Sequence, residues 1–560
     1  MATKQRSSMS ESGPDKLAGG RRLLVFYLLL LAFALAVALV FQSWLANRLT
    51  IWGDESDTMA PAFRVWKGDK DFLWQIGQYN ANPPGDNLVL RLYYRSGILH
   101  WLKETSESLY WRLPYILVFA FSIIASFVGV FRWTRSGLLS LFAALCLLCS
   151  PMVFTYATEV RFYIWLTFFL TLATYLILPL FEEAFKDSEK VRPSFAVLSL
   201  VVALGICFHM MLVPVGYIVL VYALVCLGIK ARRDLKKGRF TKNVRPFEYF
   251  ALLILGFLPF TIYKVQVKHW IFVPSPWHQI DPLERLLAAP LSLFVSRISE
   301  SLPFPWFWLN GGLVGLWALL ALGAIAHLYA RRWSRALQFL YLFAMIVGTP
   351  FVLFYEAAAR NFPFNYSHAV YQATLVTAAL ILVLIVVAEA FRSINIKSLY
   401  GAPTKPLCVL IGAGLFIVAL ERVSHRALTM KHSSPAKENY SFNEWREYYR
   451  RVPDRSALFV IGANAQTMAA DAGGYVAGQV ERYTKEFSPY YISKQGNFDP
   501  LGRKIDIDLK KLRFPRNADF LLIECRKLKE HFPELPWERF SCLTYPDQRL
   551  CHCRVRPSAD

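Results

Sequence analysis

About eleven apolar runs, each near or above the roughly 18 to 20 residues needed to cross hydrocarbon, recur between residues 22 and 422. They fall at 22–46, 112–131, 137–155, 161–181, 194–209, 211–229, 247–264, 311–330, 337–357, 369–391 and 406–422. A chain that is 55% hydrophobic and 15% aromatic but only 18% charged carries more apolar surface than a soluble fold could bury. The expected class is therefore mainly α: a polytopic membrane helix bundle. The fifth and sixth runs form one long stretch broken near His209 to Pro214, where a re-entrant pair is the alternative to two full spans.

The basic residues set the expected orientation. Lys4, Arg6, Lys16, Arg21 and Arg22 precede the first span, which places residues 1–21 in the cytoplasm as an N-terminal tail. Alternate loops agree: Arg132 and Arg135; Lys186, Lys190 and Arg192; the run from Lys230 to Arg245; Arg331, Arg332 and Arg335; and Arg392, Lys397 and Lys405. The net charge of +22 is thus explained by topology and anionic lipid, and no nucleic-acid-binding motif accompanies it. Three regions then face the far side: the loop 47–111, the loop 265–310 and the tail after about residue 423. The first span is too long for a signal-peptide core and is expected to remain as an anchor. The domains expected are a transmembrane domain over 22–425 and a soluble domain over 430–560.

The tail needs a fold of its own. Ser456–Gly462 and Ala518–Glu524 read as buried strands, and 442–452 and 526–532 as helices, which together predict a small α/β domain. Of the nine cysteines, Cys525, Cys542, Cys551 and Cys553 lie here. On an oxidising face they would form two disulfides, with the three pairings left open. Zinc at Cys551-His552-Cys553 is the competing reading, weakened by the one-residue spacer between the cysteines.

The first outer loop concentrates residues able to do chemistry. Trp52-Gly53-Asp54-Glu55-Ser56-Asp57 follows the first span. Carboxylates where a helix leaves the membrane are cheap to hydrate and can face a substrate held at the lipid surface; the plain alternative is solvated loop charge. Asn82-Pro83-Pro84-Gly85-Asp86-Asn87 then makes a stiff turn into the amphipathic stretch Leu88–Leu102, expected to fold back along the membrane surface. Arg112-Leu113-Pro114 opens the second span, and Thr155-Tyr156-Ala157-Thr158-Glu159-Val160-Arg161-Phe162-Tyr163 forms the short turn between the third and fourth.

In order and spacing these motifs resemble those of the GT-C glycosyltransferases, nearest the bacterial polyprenyl-phosphate sugar transferases that include lipid A aminoarabinose transferases, and similar to protein O-mannosyltransferases. The resemblance covers roughly residues 22–230, with a looser fit in span count, second outer loop and soluble tail. It departs at Asn82, where many relatives have His or Lys. It implies transfer of one sugar from a polyprenyl-phosphate donor to an acceptor hydroxyl (lipid A, a glycan or a protein) on the periplasmic face of a bacterial inner membrane, usually with inversion. It also leaves open a divalent cation, Mg or Mn, although Asp54 and Glu55 alone are too few ligands to require one.

On that implication Asp54 is the candidate general base, and Glu55 either shares the role or supports the loop. A departing phosphate calls for cations, and Arg161, Lys264, Lys268 and Arg360 are the candidates. Glu159 either contributes to the site or pairs with Arg161. Asp86 reads first as a turn residue. Asn82, Pro83, Tyr163 and His368 complete the candidate substrate-binding set, with the interfacial aromatic belt as the ordinary reading of the segment 360–368. The Trp- and Pro-rich loop 265–310 reads as interfacial and could border an isoprenoid groove. A transporter or flippase should show internal repeats and charges at mid-membrane, and neither is evident. A non-catalytic envelope assembly protein gives no reason for the motif series. No glycine-rich phosphate loop points to a nucleotide sugar.

Overall fold

The computed structural model describes residues 14–48, 55, 58, 84–186, 188–209, 212–239, 245–267, 310–348, 372–393 and 404–429; in the tail it describes 458–462, 490–493, 496–498, 504–505, 519–523 and parts of 530–555. The helices are α1 (Pro14–Arg48), α2 (Pro84–Arg95), α3 (His100–Thr105), α4 (Glu107–Thr134), α5 (Gly137–Leu148), α6 (Pro151–Ala157) and α7 (Tyr163–Phe185). They continue as α8 (Val191–Phe208), α9 (Leu212–Lys236), α10 (Arg245–Val267), α11 (Asn310–Tyr329), α12 (Trp333–Phe343, extended by a π-helical turn Ala344–Gly348), α13 (Gln372–Ser393) and α14 (Thr404–Thr429). Each of the eleven apolar runs holds a helix, and among the described residues six helices are long and apolar enough to cross a membrane unaided.

One expectation is corrected. The third run is not one straight span: α5 and α6 meet at 63°. Pro151 cannot donate to the preceding turn and disfavours helix at Ser150, so the chain restarts with proline in the first turn of α6. The fifth and sixth runs, by contrast, hold two helices, α8 and α9, each meeting the length and hydropathy of a span, as two separate runs predict.

The chain divides into two compact units. The first comprises Met1–Gln42, Ile116–Ala157 and Tyr163–Thr429. Its helices are apolar nearly all round, as a solvent of hydrocarbon demands, and leave Val25, Leu29, Phe33 and Val40 of α1 exposed. Because lipid is as apolar as leucine, helix association here depends on close approach and polar cross-links. Thr171 of α7 and Thr374 of α13 share a 2.9 Å hydrogen bond, and Gln338 Nε2 donates to the Leu178 carbonyl at 3.0 Å. Arg335 bridges Glu182 and Glu389, while the buried Lys230 and Asp234 pair at 3.1 Å, with the Tyr249 hydroxyl donating to Asp234.

Gly129 lets α4 cross α7: a Cβ there would lie 2.4 Å from the Tyr175 Cβ. Gly129→Ala should therefore cost about 1 to 3 kcal/mol, read as a lower melting temperature. Gly228→Ala, where an added Cβ meets nothing within 4 Å, should melt at or above wild type. Equal melting of both variants would refute the close crossing.

The second unit comprises Ser43–Tyr115, Thr158–Phe162 and Met430–Asp560. Its tail holds β1 (Leu458–Gly462), β2 (Tyr490–Ser493), β3 (Gly496–Phe498), β4 (Lys504–Ile505), β5 (Asp519–Ile523), β6 (Phe540–Thr544) and β7 (Leu550–Val555). These form one seven-stranded sheet in the order β4-β3-β2-β1-β5-β7-β6. The two strands expected from sequence, β1 and β5, are parallel neighbours with Leu458 opposite Asp519, and β2 is parallel on the other side of β1. The expected helix 442–452 and most of 526–532 lie outside the described residues. Cys542 and Cys553 stand opposite each other on β6 and β7 and form a disulfide. That bond uses the Cys553 thiol and so overturns the reading of Cys551-His552-Cys553 as a zinc site.

Candidate active site

The site region begins with a helical hairpin in the second unit. Proline suits the first turn of a helix because no donor is needed there, and an acid in that turn complements the helix dipole. Pro84 and Asp86 satisfy both conditions, so the Pro-Pro turn runs directly into α2. Asp86, expected in the turn, is instead helical and buried, and its Oδ1 accepts the Tyr115 hydroxyl of α4 at 2.8 Å. Asn87, Leu90 and Arg91 are buried with it while Leu88 and Leu92 are exposed, which gives α2 the amphipathic character anticipated. Tyr94 stacks on Trp111 with centroids 5.7 Å apart. The buried setting of Tyr93, then the neighbouring Tyr110, pushes its phenol well above the usual range and keeps it neutral.

The centre of the region is Glu55. Arg112 Nε donates to its Oε1 at 3.0 Å and Arg112 Nη2 to its Oε2 at 2.7 Å, a bidentate pair with side chains 1% and 0% exposed. The backbone N–H of Val160 also donates to Oε1, at 2.7 Å. Arg112 Nη1 reaches the Ala46 carbonyl at 2.9 Å and Ser108 Oγ at 2.6 Å, and Ser108 itself donates to Ala46 at 2.6 Å. The last carbonyls of a helix have no partner within it, so Arg112 and Ser108 here terminate α1. One buried ion pair thus ties together the end of α1, Glu55, the first two turns of α4 and the stretch Thr158–Phe162.

That stretch carries the other candidates. Glu159 is buried, and its carbonyl accepts the Arg161 N–H at 2.8 Å. Arg161 is partly exposed, with its guanidinium 5.8 Å from the centre of the Phe162 ring. Tyr163 opens α7 in the first unit, buried against Tyr156 and His209 at ring distances of 4.8 and 5.6 Å. Asp54, Asn82, Pro83, Lys268, Arg360 and His368 lie outside the described residues, and Lys264 is described only as part of the α10 backbone. Sequence reading named Arg112 only as part of the motif opening the second span, with no role in the site, and passed over Ser108. Their signal was present, since an arginine beside Trp111 inside an apolar run needs a buried counter-charge. Glu55, held by a guanidinium and a backbone N–H, does not fit as the ligand of a divalent cation.

No family model matches this sequence, and no curated protein does. The fold is the one found in a solved GT-C membrane glycosyltransferase. A solved structure with this fold is ArnT from Cupriavidus metallidurans bound to undecaprenyl phosphate; the likeness covers 94% of this chain and 98% of that one, with a TM-score of 0.54 and 14% identity.

Proposed function

We propose that this protein is an integral membrane glycosyltransferase that moves a sugar from a polyprenyl-phosphate donor to a hydroxyl on lipid A, a glycan or a protein, with Asp54 as general base. The observation that carries this reading is the 2.7 Å hydrogen bond between the Glu55 carboxylate and the Val160 N–H. Asp54 precedes Glu55 in the chain and Arg161 follows Val160, so one anchor fixes the backbone beside the candidate base and beside the candidate cation. The fold shared with a protein that binds undecaprenyl phosphate agrees with a lipid-phosphate donor.

On this reading Glu55 positions and Asp54 reacts. A carboxylate already committed to a guanidinium and a backbone donor is a poor base, whereas its neighbour is left for the acceptor. Asp54 takes the proton of the acceptor hydroxyl as that oxygen bonds to the anomeric carbon from the face opposite the phosphate. The bond from that carbon to the phosphate oxygen breaks, the sugar inverts, and polyprenyl phosphate leaves with the electron pair. Arg161 stabilises the charge that accumulates on it. By the order of apolar runs and basic residues in the sequence, Asn82, Pro83, Lys268, Arg360 and His368 fall between spans on the side that, with the N-terminus in the cytoplasm of a bacterial inner membrane, is the periplasmic one, together with Asp54 and the tail.

Undecaprenyl phosphate should raise the melting temperature of the protein in detergent, and undecaprenol should not. Arg161→Ala should reduce that shift, by about tenfold in apparent affinity if one charge-assisted contact is lost. Equal shifts with the phosphate and the alcohol would contradict a donor recognised through its phosphate.

A further inference from the structure

The helical hairpin contains two phenols that the chemistry above leaves unused. Tyr93 of α2 stacks on Tyr110 of α4 with ring centroids 4.6 Å apart and planes at 27°. Tyr110 is fully buried, and among the described residues neither hydroxyl has a hydrogen-bond partner although both oxygens are shielded from solvent. The Nδ2 of Asn87, in the same helix as Tyr93, is a third buried polar atom without one. A buried donor left unmade costs stability that phenylalanine would avoid while keeping the stacking. Tyr110 is two residues from Arg112, so its unpaired hydroxyl belongs to the helix that holds Glu55 in place.

We infer that Tyr93 and Tyr110 bind hydroxyl groups of a sugar carried by one of the two substrates, an assignment that rests on the transferase reading. Neutral phenols that both donate and accept match sugar hydroxyls, whereas a phosphate would call for cations at the same point. Stacked rings also offer the flat apolar surface that covers the C–H face of a pyranose. The sugar reaches the hydroxyls when α2 swings away from α4, and the turn between α2 and α3 is built for that movement. Gly97 and Leu99 both adopt left-handed backbone there, at φ 66° and 57°, and Leu99 pays strain in that conformation that a shift of α2 can relieve. The swing gives up the Asp86–Tyr115 hydrogen bond and the Tyr94–Trp111 and Tyr93–Tyr110 stacks, while the outer face of α2, with Leu88 and Leu92 exposed, has no packing in the hairpin to break.

Tyr93→Phe and Tyr110→Phe in the full-length protein test this. Each variant should melt at or above wild type, because it removes an unpaired buried group. Each should raise KM for one sugar-bearing substrate about tenfold with kcat changed less than about twofold, the pattern of lost uniform binding. A rise against a polyprenyl-phosphate sugar assigns the phenols to the donor sugar; a rise against lipid A assigns them to the acceptor. A lower melting temperature would show that the hydroxyls are paired within the protein, and unchanged KM for both substrates would show that they touch no sugar; either result overturns the inference. A readout independent of turnover separates it from the transferase reading: the melting shift given by an undecaprenyl-phosphate sugar minus that given by bare undecaprenyl phosphate. That difference, or the melting shift given by lipid A where the KM rise falls on the acceptor, should be positive in wild type and vanish in both variants; persistence of whichever shift matches the KM rise would also overturn the inference.

Discussion

Replacing Arg112 by Ala should cost about 3 to 5 kcal/mol, the penalty for leaving one member of a buried ion pair without the other. The magnitude follows from the setting: Glu55 and Arg112 are 0% and 1% exposed, and the guanidinium also holds the Ala46 carbonyl at the end of α1. The measurement is thermal melting of Arg112→Ala, Glu55→Gln and the double variant Arg112→Met with Glu55→Met. The double variant should melt above Arg112→Ala, since an apolar pair leaves no charge stranded. It should nonetheless lose transfer, because the Val160 N–H no longer has the acceptor that sets the backbone beside Arg161. Arg112→Ala melting as wild type would mean that the pair anchors nothing.

Asp54→Asn is expected to lower transfer by about 10² to 10⁴ fold with melting unchanged, the range for removing a positioned general base. An amide keeps the shape of the side chain and cannot take the acceptor proton. The stability readout matters because Glu55, the adjacent residue, carries the structural load: Glu55→Gln should lower both stability and transfer, whereas Asp54→Asn should lower transfer alone. Full transfer by Asp54→Asn would move the base elsewhere in the loop.

The helices were legible because apolar length is dictated by the bilayer and cannot be disguised by tertiary context. The eleven runs, the β1 and β5 strands and the amphipathic α2 were each readable from their own residues. The break between α5 and α6 was signalled by Pro151 yet hidden by apolar residues on both sides, since hydropathy measures length and not direction. The site was legible as a set of motifs and illegible as a network. Glu55 and Val160 are 105 residues apart, and Glu55 and Arg112 are 57 apart. Nothing local to Asp54-Glu55 says that the second acid is spent on a guanidinium, and only the fold distinguishes the two. Asp86 was misplaced in a turn for the opposite reason: the local signal of Pro83-Pro84 read as a turn lasting to Leu88, while in this chain the helix already starts at Pro84. The choice among disulfides was beyond sequence because it depends on the register that sets Cys542 opposite Cys553.

The most direct test of the central claim is transfer of label from a panel of radiolabelled polyprenyl-phosphate sugars to a membrane extract by the purified full-length protein. The account predicts label in the extract from at least one donor, with unlabelled polyprenyl phosphate released in equal amount and both absent with Asp54→Asn. Well-folded protein that binds undecaprenyl phosphate but moves no sugar from any donor would contradict it.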